Sequence, residues 1–357
     1  MSVFGERIKI SVFGESHGRY VGATLEGLPA GFTIDFEKLL SFMSRRRPGK
    51  ELTTKRNESD RPDIISGVLG YKTTGAPLTI LISNSDTHSS DYSDIERIPR
   101  PAHADYPAYV KYGGNNDIRG GGHFSARLTA PICAAGGILM QMLEKAGISI
   151  GSHIYSIGGV FDAPFDPVNM STDILESLKA SAYPVIDKTR LDLMLKTVES
   201  TRERGDSVGG IIECAVIGMR PGVGGPLFDG LDGSISKALF GIPAVKGVEF
   251  GAGFSVASMT GSQNNDQYYY DSEGNIRTVT NNSGGITGGM SNGMPVIFRT
   301  AFKPTPSISL QQDSVDIVSK ENTRLEIKGR HDPCVVLRAA PIVEAVTALS
   351  VADFVTD

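Results

Sequence analysis

Three short blocks of sequence contain half of the six histidines in this 357-residue chain. They read Gly-Glu-Ser-His-Gly at 14–18, Arg-Pro-Ala-His-Ala-Asp at 100–105 and Gly-Arg-His-Asp-Pro-Cys at 329–334. Histidine is the side chain whose ordinary pKa lies nearest neutrality, and in a loop beside fixed charges it is suited to acid–base chemistry. Because the blocks are far apart along the chain, they form one site only if the fold brings them together.

Basic residues and glycines elsewhere in the chain indicate an anionic ligand. Arginines at 45–47 and the Lys-Arg pair at 55–56 form a local positive patch. Three glycines at 120–122, between Arg119 and Arg127, are expected to open a helix whose free N–H groups bind an anion. An ordinary flexible turn is the alternative for the glycines, and a solvated helix end is the more usual explanation of the arginines.

Length and composition exclude several classes of protein. The length of the chain is enough for one large domain or two of ordinary size, and a hydrophobic content of 40% allows a substantial core. A net charge of −5 argues against general nucleic-acid binding. Three scattered cysteines, Cys133, Cys214 and Cys334, make neither a disulfide framework nor a zinc site, and no metal is expected. With no signal peptide and no apolar run of about 20 residues, a cytoplasmic location without membrane contact is predicted.

The apolar pattern predicts alternating strands and helices in one α/β domain over residues 1–357, but without the regularity of a doubly wound parallel sheet. Strands are predicted at 8–13, 76–82, 148–160, 208–219 and 294–302. Helices are predicted at 36–42, 126–145, 172–181, 188–203, 231–240 and 336–355. Small residues at 134–137 indicate close packing of one helix on a neighbour. The segment 84–121 has little periodicity and is expected to be a functional loop.

The motifs, in their order along the chain, strongly resemble those of the chorismate synthase family. Besides the three histidine blocks, these are Arg-Arg-Arg-Pro-Gly at 45–49, Arg-Gly-Gly-Gly at 119–122, the segment around Gly247 and Lys-Pro-Thr at 303–305. The resemblance covers essentially the whole chain. It implies a fold of the α+β type, a β-α-β sandwich with antiparallel sheets around central helices, and assembly as a homotetramer.

The resemblance further implies a carbon–oxygen lyase that catalyses the last step of the shikimate pathway. Its substrate, 5-enolpyruvylshikimate 3-phosphate, would lose phosphate and a ring proton by 1,4-anti elimination to give chorismate. Reduced FMN would be required without net redox change. Since no dinucleotide-binding fingerprint is visible, flavin reduction is expected to depend on an external reductase, with NADPH acting only indirectly.

Roles for individual residues follow from the same resemblance. His17 would be the general acid for the departing phosphate, His103 would protonate or stabilise the reduced flavin, and Asp332 would help to take the ring proton. Ser16 and Ser125 match serines of the relay around the flavin. Flavin contacts are expected at His123, Phe124, Ser125, Pro243, Ala244, Gly288, Lys303, Pro304, Thr305, Pro306, Ser307 and Arg330. Guanidinium groups would bind the substrate's phosphate and carboxylates, namely those of Arg46, Arg127 and Arg330, supported by Arg45 and Arg56.

This chain departs from the family pattern where His123 and Phe124 replace Arg-Ser, Ala102 replaces glycine and Pro243 replaces asparagine, and where the loop at 50–52 is shorter. His123 turns a permanent charge into a titratable one, so flavin affinity would fall as this imidazole loses its proton.

A non-catalytic anion- or nucleotide-binding protein with the same fold is the alternative function that His123 and Phe124 favour. Phosphomonoester hydrolysis is less well supported, since no metal cluster or nucleophile motif is visible.

Overall fold

The computed structural model describes residues 2–47, 49, 52–53, 58–85, 96–327 and 332–355. The strands of the described part are β1 Val3–Phe4, β2 Lys9–Gly14, β3 Tyr20–Glu26, β4 Asp63–Ser66, β5 Val68–Leu69, β6 Lys72–Thr73, β7 Leu78–Ser83, β8 Ser149–Ile157, β9 Val160–Phe161, β10 Gly210–Ile217, β11 Val245–Phe250, β12 Tyr268–Tyr270, β13 Ile276–Thr278, β14 Ile286–Thr287, β15 Met290–Ser291, β16 Val296–Phe302, β17 Gln312–Asp316 and β18 Glu321–Leu325. The helices are α1 Phe36–Arg46, α2 Asp105–Tyr112, α3 Thr129–Lys145, α4 Thr172–Lys179, α5 Lys188–Glu203, α6 Leu231–Leu239, α7 Gly261–Asn264 and α8 Ala340–Val355.

Two five-stranded sheets form the outer layers of the fold. One has the strand order β1-β2-β3-β7-β4 and the other the order β11-β16-β10-β8-β9. Neighbouring strands in both sheets run antiparallel. Helix α3 packs on the first sheet, α8 packs on the second, and the two helices pack on each other. The predicted sandwich of antiparallel sheets around central helices is therefore confirmed.

Helices α3 and α8 are apolar because each is enclosed on all sides. In α8 every residue from Ala340 to Ala352 is buried. The stretch Ala126–Lys145, which includes α3, is long and apolar enough to cross a membrane by length and composition, but 83% of an 18-residue window within it is buried inside the fold. A helix that is hydrophobic all round is typical of a protein core as well as of a membrane span, and here the packing identifies a core helix.

The small residues of α3 let the two central helices approach closely, as the sequence predicts. A Cβ atom at Gly136 would lie 2.5 Å from Cα and 2.6 Å from the carbonyl oxygen of Ala345 in α8. Backbone atoms cannot yield to such a contact as a flexible side chain can. Glycine at this position therefore sets the distance between α3 and α8.

Most predicted elements are present, with boundaries shifted by a few residues. The helix predicted at 188–203 is α5 with the same limits, and the strand predicted at 208–219 is β10. Helix α2 lies inside the segment expected to be an irregular loop, and the central strand β3 escaped prediction. The helix predicted from 126 begins at Thr129, after a short 3-10 turn.

We expect Gly136→Ala to destabilise the protein by about 1–3 kcal/mol, the usual cost of an extra methyl group in a packed core. Gly233→Ala in α6 is the matched control, because a Cβ there meets nothing within 4 Å. It should stabilise the protein by about 0.5–1 kcal/mol through helix propensity. Urea unfolding of both variants measures the difference, and equal effects would contradict the close approach.

Candidate functional site

A cavity of about 980 Å³ opens where segments from distant parts of the chain meet. Its wall is formed by Arg46, Glu58 and residues of 2–12, 100–104, 120–132, 237–246, 302–307 and 332–349. The described residues that line it include seven lysines or arginines and two carboxylates, and apolar side chains come from most of these segments, β1, β2 and α8 among them. This volume lies at the upper end of the range for small-molecule sites, so the cavity has room for two ligands.

The glycine turn beside the cavity brings two of the three histidine blocks together. A Cβ atom at Gly120 would lie 2.6 Å from Cδ2 of His17 and 2.7 Å from Oγ of Ser16. A Cβ atom at the next residue, Gly121, would lie 3.2 Å from Nε2 of His103. Both imidazoles thus rest against consecutive glycines, as the sequence analysis required if the blocks were to form one site.

The same glycines do not open a helix, which corrects the predicted helix N-terminal anion site. Residues 120–122 have φ angles of +61°, +89° and +54°, all in the left-handed region. A right-handed helix cannot run through such angles, and α3 begins only at Thr129. The predicted use of these glycines as an anion-binding helix end is therefore wrong. Their role is to let side chains approach the backbone closely.

The first histidine block is fixed by hydrogen bonds to its backbone. The backbone N–H of Ser16 donates to the carbonyl of Gly122 over 3.1 Å. Nδ2 of Asn84 donates to the carbonyls of Glu15 and Gly18, over 3.0 and 2.7 Å. Oγ of Ser16 is buried and has no hydrogen-bond partner among the described residues. A ligand that entered here would satisfy it, since buried polar groups are normally paired.

In the second block, His103 is held by a carboxylate of its own block. Its Nδ1 lies 2.5 Å from Oδ1 of Asp105, which also accepts from Arg100. Burial, the neighbouring Arg100 guanidinium and Lys303 lower the pKa of His103 below its ordinary value, against the opposing effect of Asp105. The imidazole is therefore neutral at neutral pH, with its other nitrogen next to Gly121.

Arg46 and Arg127 meet at one buried carboxylate, that of Asp60. Each arginine donates an Nη1–H to a different oxygen of Asp60. Although burial alone would raise it, the two guanidinium groups hold the pKa of Asp60 below its ordinary value. Nε of Arg127 also donates to Oδ1 of Asn84 over 2.8 Å, which links this cluster to the first histidine block. Both predicted arginines line the cavity and share Asp60 as a counter-ion, and the buried Glu58 carboxylate lies 3.5 Å from Nη2 of Arg127.

Arg45 points elsewhere. Its guanidinium donates to both carboxylate oxygens of Glu344 in α8, over 2.5 and 2.8 Å, and Glu344 also accepts from Ser152 of β8. Arg45 is absent from the described residues that line the main cavity. Successive residues of a helix point about 100° apart, so Arg45 and Arg46 cannot face the same ligand. The structure thus does not bring Arg45 to the site.

An arginine that the sequence analysis did not single out lies in the cavity wall. Nη2 of Arg338 donates to Oδ2 of Asp332 over 2.6 Å. Its Nε is buried and has no hydrogen-bond partner within the described part of the chain. Arg338 lies just before α8. A single arginine in this apolar run is the sequence feature that could have identified it as a site residue. Asp60, Asn84 and Asp105 were likewise not singled out as site residues.

Several predicted flavin contacts surround the cavity, but His123 uses its ring nitrogens within the protein. Nδ1 lies 2.8 Å from the carbonyl oxygen of Gly14, and Nε2 lies 2.6 Å from Oγ of Ser2. The imidazole therefore anchors the start of the chain to the cavity wall and offers no spare N–H to a ligand in this arrangement. Phe124, beside it, is 37% exposed, and its ring centroid lies 6.3 Å from that of Tyr112.

Ala102, which replaces the family's glycine, and Ala244, an expected flavin contact, have left-handed backbones with φ of +59° and +75°. Lys303 joins them, because its backbone N–H donates to the carbonyl of Ala244 over 2.9 Å and its ammonium to the carbonyl of Ala102. Alanine in this region costs of order 1 kcal/mol. Such strain is typical of functional sites and persists only where surrounding contacts enforce it.

The remaining predicted contacts fall into three groups. Ser125, Pro243, Thr305, Pro306 and Ser307 line the cavity, and Oγ1 of Thr305 is buried without a hydrogen-bond partner in the described structure. Gly288, in the turn between β14 and β15, and Pro304 are not among the described lining residues. Arg56 and Arg330 lie outside the described residues.

Comparison with known proteins identifies the family. A family model described as chorismate synthase matches residues 8–356. A chorismate synthase of Korarchaeum cryptofilum is 45% identical over 99% of this chain and 97% of the relative, and one of Thermococcus kodakarensis is 45% identical over 98% and 96%. A crystal structure of a chorismate synthase, 28% identical, matches with a TM-score of 0.76 over 98% of this chain and 92% of that chain. This chain belongs to the chorismate synthase family.

Proposed function

We propose that this protein converts 5-enolpyruvylshikimate 3-phosphate to chorismate by 1,4-anti elimination, the last step of the shikimate pathway, with reduced FMN in the same cavity. The observation that carries the proposal is the placement of His17 and His103 against consecutive glycines beside a large, mainly basic cavity. In the reaction a C–O bond to phosphate and a ring C–H bond break, and a C=C bond forms. The products are chorismate, phosphate and a proton, with no net redox change.

The residues present fit a flavin phosphate. The cavity combines an apolar wall, basic side chains and the buried hydroxyl of Thr305, and the buried hydroxyl of Ser16 lies against Gly120 of the wall; neither hydroxyl has a hydrogen-bond partner among the described residues. The flavin would be held by residues 123–125, by Pro243 and Ala244, and by Lys303 with residues 305–307. When bound, reduced FMN supplies an electron-rich ring that promotes the loss of phosphate.

His17 is proposed to donate a proton to the departing phosphate, because a protonated phosphate is the better leaving group. Ser16, directly before it, has a buried hydroxyl within the same close contact to Gly120 and can relay a proton. Binding of an anionic substrate beside His17 would favour its protonated form.

His103 is proposed to act on the flavin side of the cavity, where it holds or accepts a proton at Nε2. With its Nδ1 held by Asp105 and its pKa lowered, a neutral His103 imidazole would accept a proton at Nε2. Of the two expected roles, protonation or stabilisation of the reduced flavin, this favours stabilisation. Ser125 lies near the same glycine, with its Cβ 3.8 Å from the Cβ position of Gly121. The proposed relay thus has one serine beside each histidine.

The substrate's phosphate and carboxylates are proposed to bind to Arg46, Arg127 and Arg338. Asp60 pairs with Arg46 and Arg127, Glu58 lies 3.5 Å from Nη2 of Arg127, and Asp332 pairs with Arg338 through Nη2. All three arginines line the cavity, and their side chains are only 3%, 5% and 13% exposed, in that order. Asp332, oriented by Arg338, is proposed to help to take the ring proton.

Family resemblance alone supports the remaining parts of this proposal. They are assembly as a homotetramer, reduction of the flavin by an external reductase with NADPH acting only indirectly, and a cytoplasmic location. An anaerobic assay with NADPH as sole reductant tests the second part: turnover without an added reductase would contradict it.

We expect His17→Ala and His103→Ala each to lower the rate of phosphate release by about 10²- to 10⁴-fold, the usual contribution of a positioned acid or base. The measurement is phosphate release from the substrate under anaerobic conditions with chemically reduced FMN. Titration with oxidised FMN checks that each variant still binds flavin. Equal turnover of the unchanged protein without flavin would contradict the proposed function.

Replacement of Arg338 by Met should raise the KM for the substrate by about 10- to 100-fold, the value of one charge-assisted hydrogen bond. Lys at this position should recover part of the loss, because it keeps the charge but not the fork of N–H donors. The control is Arg324→Met on β18, whose side chain is 69% exposed. An unchanged KM in Arg338→Met would remove this residue from the substrate site.

A further inference from the structure

The carboxylate of Asp105 makes a set of contacts that determines which nitrogen of His103 carries hydrogen. Oδ1 lies 2.5 Å from Nδ1 of His103 and accepts from Nη2 of Arg100 over 2.8 Å. Oδ2 accepts from Nε of Arg100 over 2.7 Å and from the backbone N–H of Arg100 over 3.0 Å. Arg100 is held in turn by Oγ of Ser307, 3.3 Å from its Nη1. Each oxygen of the Asp105 carboxylate therefore has two polar contacts, and of these four contacts three are with Arg100 and one is with His103.

Asp105 stays ionised in this setting. Burial alone would raise its pKa, but the hydrogen bonds from Arg100 and His103 lower it far below the ordinary value. Asp105 is also the first residue of α2, where the helix dipole favours a negative charge. An ionised carboxylate can only accept hydrogen bonds.

Nδ1 of His103 must therefore carry hydrogen, since a lone pair there would face the carboxylate oxygen at 2.5 Å. Nη2 of Arg100 also lies 3.0 Å from this nitrogen, but a hydrogen from Arg100 would not separate Nδ1 from the carboxylate oxygen 2.5 Å away. The charged groups that face His103 are Arg100 and Asp105 from its own block and Lys303 from the end of β16. In the neutral imidazole, one nitrogen is a donor and the other an acceptor.

We propose that Asp105, locked by Arg100, is a positioning residue that fixes His103 as the Nδ1–H tautomer and so leaves Nε2 as the proton acceptor beside Gly121. The assignment of the tautomer stands on these contacts alone. Its effect on turnover rests on the proposed function, in which His103 acts within the cavity. Asp105 itself does not line the cavity, so its influence passes through the imidazole.

Asp105→Asn is the sharpest variant, because an amide offers only one acceptor oxygen. At the Oδ2 position an NH₂ group would face two donors of Arg100, whereas at the Oδ1 position it would face one donor of Arg100 and the imidazole. The NH₂ group should therefore turn toward His103 and donate to Nδ1. The proton of the neutral imidazole then moves to Nε2, which removes the acceptor beside Gly121.

Magic-angle-spinning ¹⁵N NMR of histidine-labelled protein tests the tautomer directly, with the His103 signals identified from His103→Gln. We expect Nδ1–H in the unchanged protein and Nε2–H in Asp105→Asn. An Nε2–H tautomer in the unchanged protein would overturn the proposal even if the variant failed to fold. Asp187→Asn, at the start of α5, is the control, because its side chain caps a helix by accepting from the N–H of Thr189 and contacts no histidine among the described residues.

The kinetic readout is the pH profile of kcat/KM with reduced FMN. Asp105→Asn should lower kcat by about 10²-fold or more, because the wrong tautomer predominates. Neutral His103 is the active form, so kcat/KM falls at acid pH; loss of the Asp105 charge lowers the pKa of His103 and moves this acid limb to lower pH. An unchanged kcat and acid limb would overturn the positioning role. If the NMR result holds but the unchanged protein releases no phosphate, the proposed function fails and the tautomer assignment stands.

Discussion

The closeness of two imidazole rings to Gly120 and Gly121 is the constraint on which the site depends. Any side chain at Gly120 would overlap the ring of His17, and one at Gly121 would press on the ring of His103. Left-handed φ angles at these positions add a second reason for glycine. The turn therefore sets the distance between the imidazoles of His17 and His103, which are far apart in the sequence. Each imidazole has a serine nearby.

Around that turn, buried charged groups connect the arginines of the cavity wall to the block that contains His17. Asp60 joins Arg46 of α1 to Arg127, and Asn84 joins Arg127 to the backbone around His17. Such a network is costly to break, because removal of one partner leaves a buried charge uncompensated. It keeps the arginines preorganised, so that a ligand anion meets guanidinium groups whose orientation is already fixed.

Sequence patterns predict much of the fold, because α5, β10 and α8 carry clear apolar periodicity or a continuous apolar run. Helix α2 escaped prediction since it has little apolar periodicity in a segment rich in Asp, Ser, Tyr and Gly. The motifs predict which histidines and arginines matter, but not the φ angles of three consecutive glycines, nor that Arg45 and Arg46 face different partners. Counter-ions such as Asp60 are set by tertiary contacts, which a pattern of single residues does not encode.

Helix α8 is the last helix described, yet it forms the middle of the core. Residues 145 and 340 are separated by 195 positions, so α3 is made long before its partner exists. At about 5–20 residues per second, the ribosome leaves the surface of α3 that faces α8 without its partner for about 10–40 seconds. A nascent chain of this architecture therefore exposes one apolar face of a core helix until its last segment has been made.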